Sequence, residues 1–191
     1  MAFTTAPLLF AETVRIAELF AENPSWSPVR ETVLANNLLQ MRTDNAAKRI
    51  FNEISSRLKQ LTDEQLKLLI ASSRREQNYL LWLAFCKRYR FVYDFAVEVV
   101  HEKFLRLDMT LTIEDYEIFF NSKAEWHPEV QRVAPSTRIK QRQILFKTLR
   151  QAELLTEQNQ IIPIVLSTQM TAVVQNDDPA HLSIFPVRFM I

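Results

Sequence analysis

The chain of 191 residues contains no glycine, where average usage of about 7% would supply roughly thirteen. Glycine is the residue that reaches positive φ without a Cβ clash, so its absence constrains every tight turn. Two-residue hairpins lose their favoured turns and helices their favoured C-terminal caps. Loops must then rely on Asn, Asp, Pro and Ser, as in Ala21-Glu22-Asn23-Pro24-Ser25. A mainly α fold is expected. Function is constrained as well: Walker and dinucleotide-binding loops need glycine for close approach to phosphate, and the nucleophile elbow of α/β hydrolases needs it for its strained turn. None of those chemistries is encoded here.

Other catalytic signatures are missing too. His101, His127, His181 and Cys86 are scattered without metal-ligand spacing. His101-Glu102 begins like a zinc-protease motif, but Leu105 stands where the second histidine belongs. No catalytic residue, cofactor or metal site is expected, and the chain reads as a non-enzyme. Its longest apolar run, Tyr79-Leu80-Leu81-Trp82-Leu83-Ala84-Phe85-Cys86, stops at Lys87-Arg88, far short of the ~20 residues of a membrane span. Glu12, Arg15 and Glu18 interrupt the N-terminal apolar stretch, which also lacks the basic start of a secretory signal. With one cysteine and no possible internal disulfide, a cytoplasmic location is expected.

The pattern along the chain predicts helices separated by polar breaks. Apolar residues from Thr5 to Glu22 recur with helical period, and Asn23-Pro24 ends that helix. A second helix, capped by Ser25 or Ser27, runs to about Asn36. The third follows a short connection and is capped by Thr43 or Asp44, with Ala47, Ile50, Phe51, Ile54, Leu58 and Leu61 on one face. These three helices have the outline of a helix-turn-helix. A central block, Asp63–Ala71, Ser73 to about Tyr89 and Phe91–Leu107, reads as the helical core. Thr112 caps a helix to about Trp126, Thr168–Gln175 forms another, and His181–Ile191 reads as an extended apolar tail. The expected organisation is therefore residues 1–61 as a helix-turn-helix-like unit, 62–109 as a central core and 110–191 as a winged-helix-like unit with tail, in one compact body.

Charge is distributed unevenly behind a net value of only +1. From Asp94 to Glu117 there are seven acids against Lys103 and Arg106, while Arg42, Lys48, Arg49, Arg57 and Lys59 form one basic region. A second lies in Ser136–Ala152, predicted as a helix capped by Ser136 or Thr137, which carries Arg138, Lys140, Arg142, Lys147 and Arg150 with no acid. Two short apolar segments follow it, Leu154-Leu155-Thr156 and Ile161-Ile162-Pro163-Ile164-Val165, around the polar tip Glu157-Gln158-Asn159-Gln160. A basic helix followed by a β-hairpin is how a winged helix ends. Ile139, Leu145, Phe146 and Leu149 are expected to face the core, leaving a polar stripe of Lys140, Gln143, Lys147 and Gln151.

Such a face suits a duplex phosphate backbone. The candidate DNA-contacting residues are therefore Arg138, Lys140, Arg142, Lys147 and Arg150, with Arg138 placed to approach base edges. A second candidate surface is Arg42, Asn45, Lys48, Arg49 and Asn52 on the third helix, a pattern that also describes a plain solvated face. Lys87-Arg88-Tyr89-Arg90 mixes bases with a ring but joins two apolar helices, and reads as a capping feature. Two other functions fit the composition: a protein-interaction adaptor using its acidic middle and basic ends, and an RNA-binding helical protein.

Several segments together, in order and spacing, resemble the BrxA family of the BREX bacteriophage-defence systems. They are Asn36-Asn37-Leu38-Leu39-Gln40-Met41-Arg42, Ala47-Lys48-Arg49-Ile50-Phe51, Arg57-Leu58-Lys59-Gln60-Leu61, Trp82 to Tyr89, Asp94 to Phe104, Glu125-Trp126-His127-Pro128-Glu129, Ser136-Thr137-Arg138 and Leu149 to Leu155. The resemblance covers roughly residues 10 to 166. The family's pattern usually has a glycine between alanine and leucine where this chain has Glu153. Members have been labelled inner-membrane proteins, which the eight-residue apolar run does not support. The resemblance implies an all-α protein containing a winged helix. It also implies double-stranded DNA binding alongside a methyltransferase, an ATPase and a phosphatase-like protein in distinguishing host from phage DNA. It supplies no catalytic residue.

Overall fold

A computed structural model describes residues 3–187 and is mainly helical. Its first helices are α1 (Phe10–Glu22), α2 (Trp26–Ala35) and α3 (Asp44–Leu58). They are followed by α4 (Asp63–Ala71) and α5 (Arg74–Arg88). α6 (Arg90–Phe95) runs into a π-type turn at Ala96–His101 and then α7 (Glu102–Leu105). The C-terminal part holds α8 (Ile113–Trp126), α9 (Pro128–Gln131), α10 (Pro135–Gln151) and α11 (Thr168–Asp177), then a 3₁₀ turn at Pro179–Ile184.

The organising element is α5. Asn78 to Cys86 are all buried in succession, which an amphipathic surface helix never shows. Helices α1, α3, α4, α6 and α10 and the 3₁₀ turn all pack on it. Trp82 is fully buried there, and its indole N–H donates to the Ile184 carbonyl at 3.1 Å. Several helix starts are set locally by side chains. Thr43 Oγ1 accepts from the Ala46 amide, and Thr62/Gln65 and Thr112/Asp115 form reciprocal capping boxes.

The structure departs from the sequence expectations at several places. α1 begins at Phe10, not Thr5, because Phe3, Ala6 and Leu8 form a buried strap ahead of it. The tight connection expected between α2 and α3 is an eight-residue segment from Asn36 to Thr43, longer than the three- or four-residue turn of a helix-turn-helix. The helix expected over 91–107 is broken by the π-type turn, whose wider winding no propensity pattern signals. α10 starts one residue before Ser136, at Pro135 after Ala134, where proline's fixed φ replaces a side-chain cap. The expected β-hairpin is not a pair of strands: the described residues contain only the isolated bridges Thr110↔Gln160, Leu155↔Ile161 and Ile164↔Val187. The tail is a 3₁₀ turn followed by buried Phe185 and Val187 rather than an extended segment, and its residues 188–191 lie outside the described residues.

Without glycine, the turns use other residues in the left-handed region. Among the described residues Asn37, Leu107 and Glu153 take φ of 44°, 60° and 58°, each just past a helix. Each carries the paired hydrogen bonds of a Schellman cap, as in Leu154 N–H to Leu149 O and Glu153 N–H to Arg150 O, both 3.0 Å. Asparagine tolerates this conformation, but Leu9, Gln40, Leu107 and Glu153 do so against a Cβ clash of about 1–2 kcal/mol each. Glu153 is compensated by contacts to Arg75 Nε and Asn78 Nδ2, each at 3.2 Å. Leu107 has no such compensation and is 68% exposed.

A buried ion pair joins the N-terminal strap to the core. Arg57, expected on the basic surface, is 3% exposed. Its Nε donates to Glu53 Oε1 at 2.8 Å, and its terminal nitrogens donate to the Pro7 and Ala6 carbonyls at 2.5 and 2.6 Å. Its guanidinium lies 4.5 Å over the Phe85 ring. Glu53 also accepts from the Tyr89 hydroxyl. Burial, then the Glu53 hydrogen bond and charge, push that phenol up to about 12, which keeps it a donor.

At the other end of the chain Asp177 accepts from Lys87 Nζ at 2.7 Å and Gln65 Nε2 at 3.3 Å, with His181 Nδ1 at 3.1 Å. Burial acts to raise its pKa, but the Lys87 and Gln65 hydrogen bonds and the Lys87 and His181 charges together hold it below its ordinary value.

Three outcomes are expected. Leu107→Gly raises the urea midpoint by the equivalent of about 1 kcal/mol; a lowered midpoint contradicts the strain at this position. Arg57→Met costs about 3–5 kcal/mol by leaving Glu53 buried without its cation, and adding Glu53→Leu recovers part of that loss. A single-variant cost under about 1 kcal/mol in the same denaturation series removes the buried pair from this role. For Asp177 the depressed pKa means its stabilisation is present above the ordinary carboxylate range and lost as pH falls through the folded value. Lys87→Met therefore flattens the acid limb of a stability-versus-pH curve, and an unchanged limb refutes the contact's contribution.

Candidate nucleic-acid interface

α10 has a buried side formed by Gln141, Ile144, Leu145, Thr148 and Leu149, the i, i+3, i+4 spacing of a core-facing stripe. Two of these are polar, so the sequence pattern of apolar residues understates how the helix is seated. At about 100° per residue, Lys140, Gln143 and Lys147 fall within roughly 60° of each other on the opposite side. All three are exposed and form no hydrogen bond or ion pair with a described residue. Gln151, the last residue of the expected stripe, accepts from the Leu8 amide at 3.0 Å and ties α10 to the N-terminal strap.

Arg138 and Arg142 lie elsewhere. More than about 100° round the helix, both meet Glu117 on α8. Arg142 Nη1 is 2.5 Å from Glu117 Oε1, and Arg138 pairs with Oε2 while donating to the Glu117 carbonyl at 3.2 Å. The Arg138 guanidinium also sits 4.1 Å over Phe120. These two arginines brace α10 against α8. Arg150 turns toward the polar tip that follows α10, donating to Asn159 Oδ1 at 2.6 Å, with Glu157 Oε2 at 3.7 Å.

Ile139 was expected in the core and is 46% exposed. Gln141, two residues on, is buried, and at about 100° per residue Ile139 lies on nearly the opposite side of the helix from it. The polar neighbours Ser136 and Gln143, at i−3 and i+4, are the signal that could have placed Ile139 on the surface. Beside this ridge lies an open cleft of about 730 Å³, lined in part by Ile113, Phe146, Lys147, Arg150 and Asn159. Residues 109–111, 154–156 and 160–162 are tied together by backbone hydrogen bonds: Ile161 N–H donates to Met109 O, Leu111 N–H to Asn159 O and Ile162 N–H to Leu154 O at 2.7–3.0 Å.

The second candidate surface is placed as expected. Asn45, Lys48, Arg49 and Asn52 are exposed on α3, opposite buried Ala47, Ile50, Phe51 and Ile54, and Arg42 is exposed just ahead of the helix. None forms an ion pair with a described residue. Lys59 is drawn aside, its Nζ 5.2 Å over the Trp26 ring. α3 and α10 both pack on α5, so one rigid helix carries both basic faces.

The acidic middle is largely neutralised within the chain. Asp94 pairs with Arg90 and Lys123, Glu98 with Lys123, and Glu102 with Arg106. Lys103 bridges Asp108 and Asp115. Lys87-Arg88-Tyr89-Arg90 forms the α5–α6 junction: Lys87 and Arg90 are ion-paired, and Arg88 donates to Ser56 Oγ at 3.3 Å. Cys86 is buried, and burial pushes its thiol well up. Among the described residues no group of His, Cys, Asp and Glu is placed to hold a metal ion, and no helix is long and apolar enough to cross a membrane.

Comparison with known proteins places these features in a family. The chain matches a crystal structure of an uncharacterized protein from Magnetospirillum magneticum with a TM-score of 0.81 over 96% of both chains, at 18% identity, which establishes a shared fold. BREX protein BrxA of Bacillus cereus (strain H3081.97) is 27% identical over 80% of this chain and 76% of its own length. BREX protein BrxA of Escherichia coli O9:H4 (strain HS) is 31% identical over 76% of this chain and 68% of its own. The sequence model of the BrxA family matches residues 1–178, and with that span the chain belongs to the BrxA family.

Proposed function

We propose that this protein is a non-enzymatic component of a BREX-type bacteriophage-defence system that binds double-stranded DNA. The observation that carries this reading is the partition of charge. Six of the seven acids of the middle segment are paired with cations of the chain, whereas Lys140 and Lys147 stand free on the exposed ridge of α10. Phosphate neutralisation by such side chains releases counterions and supplies sequence-independent affinity. Residues 109–111, α8, α10 and the bridged segments 154–156 and 160–162 follow one another in the order of a winged helix, with α10 at the position of the recognition helix and Glu157–Asn159 as the wing. Arg150 would supply a contact at the wing base, and Arg138 and Arg142 hold α10 in place through Glu117. Arg42, Asn45, Lys48, Arg49 and Asn52 form a second duplex contact. The protein would work in the cytoplasm beside the methyltransferase, ATPase and phosphatase-like components of the system.

Exposed Trp126, 77% accessible at the end of α8, favours a second reading as an adaptor docking onto another defence protein, since tryptophan is enriched among interface anchors.

Anisotropy of a labelled random-sequence duplex over a salt series separates these functions. Lys140→Ala with Lys147→Ala is expected to weaken binding to every sequence and reduce the log–log salt slope by about 1.8, whereas Arg142→Ala leaves the slope near wild type. Structured RNA competing as well as DNA would indicate the RNA-binding alternative. Absence of binding even at low salt would transfer the function to protein contacts.

A further inference from the structure

The outward ridge of α10 holds two free side chains besides its lysines. Gln143 is exposed midway between Lys140 and Lys147 and makes no hydrogen bond with a described residue. Ile139, four residues earlier, leaves nearly half its surface in solvent. Lysines at 140 and 147, about 10 Å apart along the axis, would set the ridge against the phosphates and leave Gln143 and Ile139 toward the base edges.

The chemistry of these two side chains is selective. A glutamine amide offers donor and acceptor together, which matches adenine N6 and N7 in the major groove. The apolar feature of that groove is the thymine methyl, which suits an exposed isoleucine. Arginine is the usual partner of guanine, but Arg138 and Arg142 are turned away and held by Glu117. We infer that α10 discriminates in favour of A·T base pairs in the major groove, with Gln143 reading adenine and Ile139 contacting the thymine methyl. The inference rests on the DNA-binding reading and adds its specificity-determining residues.

The test uses the full chain and four duplexes of equal length at one salt concentration: A·T-rich, G·C-rich, A·T-rich with deoxyuridine for thymidine, and A·T-rich with 7-deazaadenine for adenine. The last two remove the thymine methyl and adenine N7, leaving the minor groove unchanged. The wild-type protein is expected to prefer the A·T-rich duplex over the G·C-rich one by roughly five- to tenfold, and each modified base erodes that preference. Gln143→Ala becomes insensitive to 7-deazaadenine, and Ile139→Ala to deoxyuridine, while both keep the wild-type salt slope because the lysines remain. Equal affinity for all four duplexes with the slope intact overturns the inference and leaves DNA binding standing. So does an A·T preference that neither base modification nor either variant alters. Failure to bind any duplex at low salt overturns DNA binding itself, and the inference with it.

Discussion

The Arg57 guanidinium is the interaction on which the N-terminal half depends. A buried charge is tolerated only when its hydrogen-bonding capacity is met, and Arg57 meets it with Glu53, two carbonyls of the N-terminal strap and the face of Phe85. One residue therefore ties α3, α5 and residues 6–7 into a single geometry. Tyr89, where α5 gives way to α6, joins the same network through Glu53. The strap in turn carries the Leu8 amide that meets Gln151 at the end of α10, so a buried cation near the N-terminus and the basic helix near the C-terminus belong to one connected body.

Electrostatics outside that core follows a simple division. Cations whose helices pack beside acidic elements are absorbed by them, as with Lys103, Lys123, Arg138 and Arg142. Cations on ridges that face no other element remain available, as with Lys140 and Lys147 on α10 and Lys48 and Arg49 on α3. A near-neutral chain thus keeps separate positive surfaces, and long-range attraction of a polyanion depends on those surfaces rather than on net charge.

Much of this was legible before any coordinates. The α3 stripe and its exposed Asn45, Lys48, Arg49 and Asn52 followed from helical period, because one face of that helix is uniformly apolar. The cap at Thr112, and the choice of Thr43 or Asp44 before α3, were readable because a cap acts within four residues, whereas the Thr62 capping box was found only in the structure. Arg57 was misplaced because a charged residue scores as surface in any pattern, and its partners at residues 6 and 7 are some fifty positions away. Ile139 was misplaced in the opposite sense, since an apolar residue reads as core even where it lies on the solvent side of its helix. The missing glycines correctly pointed to helices, but the chain also drives Leu107 and Glu153 into the left-handed region, a local cost offset at Glu153 by its contacts to Arg75 and Asn78 and left standing at Leu107.

The sequence by itself determined the helical class, the amphipathic faces and the exclusion of glycine-dependent phosphate loops, because these depend on local conformational preference and periodicity. Family membership was likewise readable in the order of its segments. Only the tertiary structure decided which cations are free. Whether Arg138 meets solvent or Glu117, and whether Arg57 lies on a surface or beneath a strap, depends on which helix packs alongside, and long-range packing leaves no mark in the spacing of nearby residues.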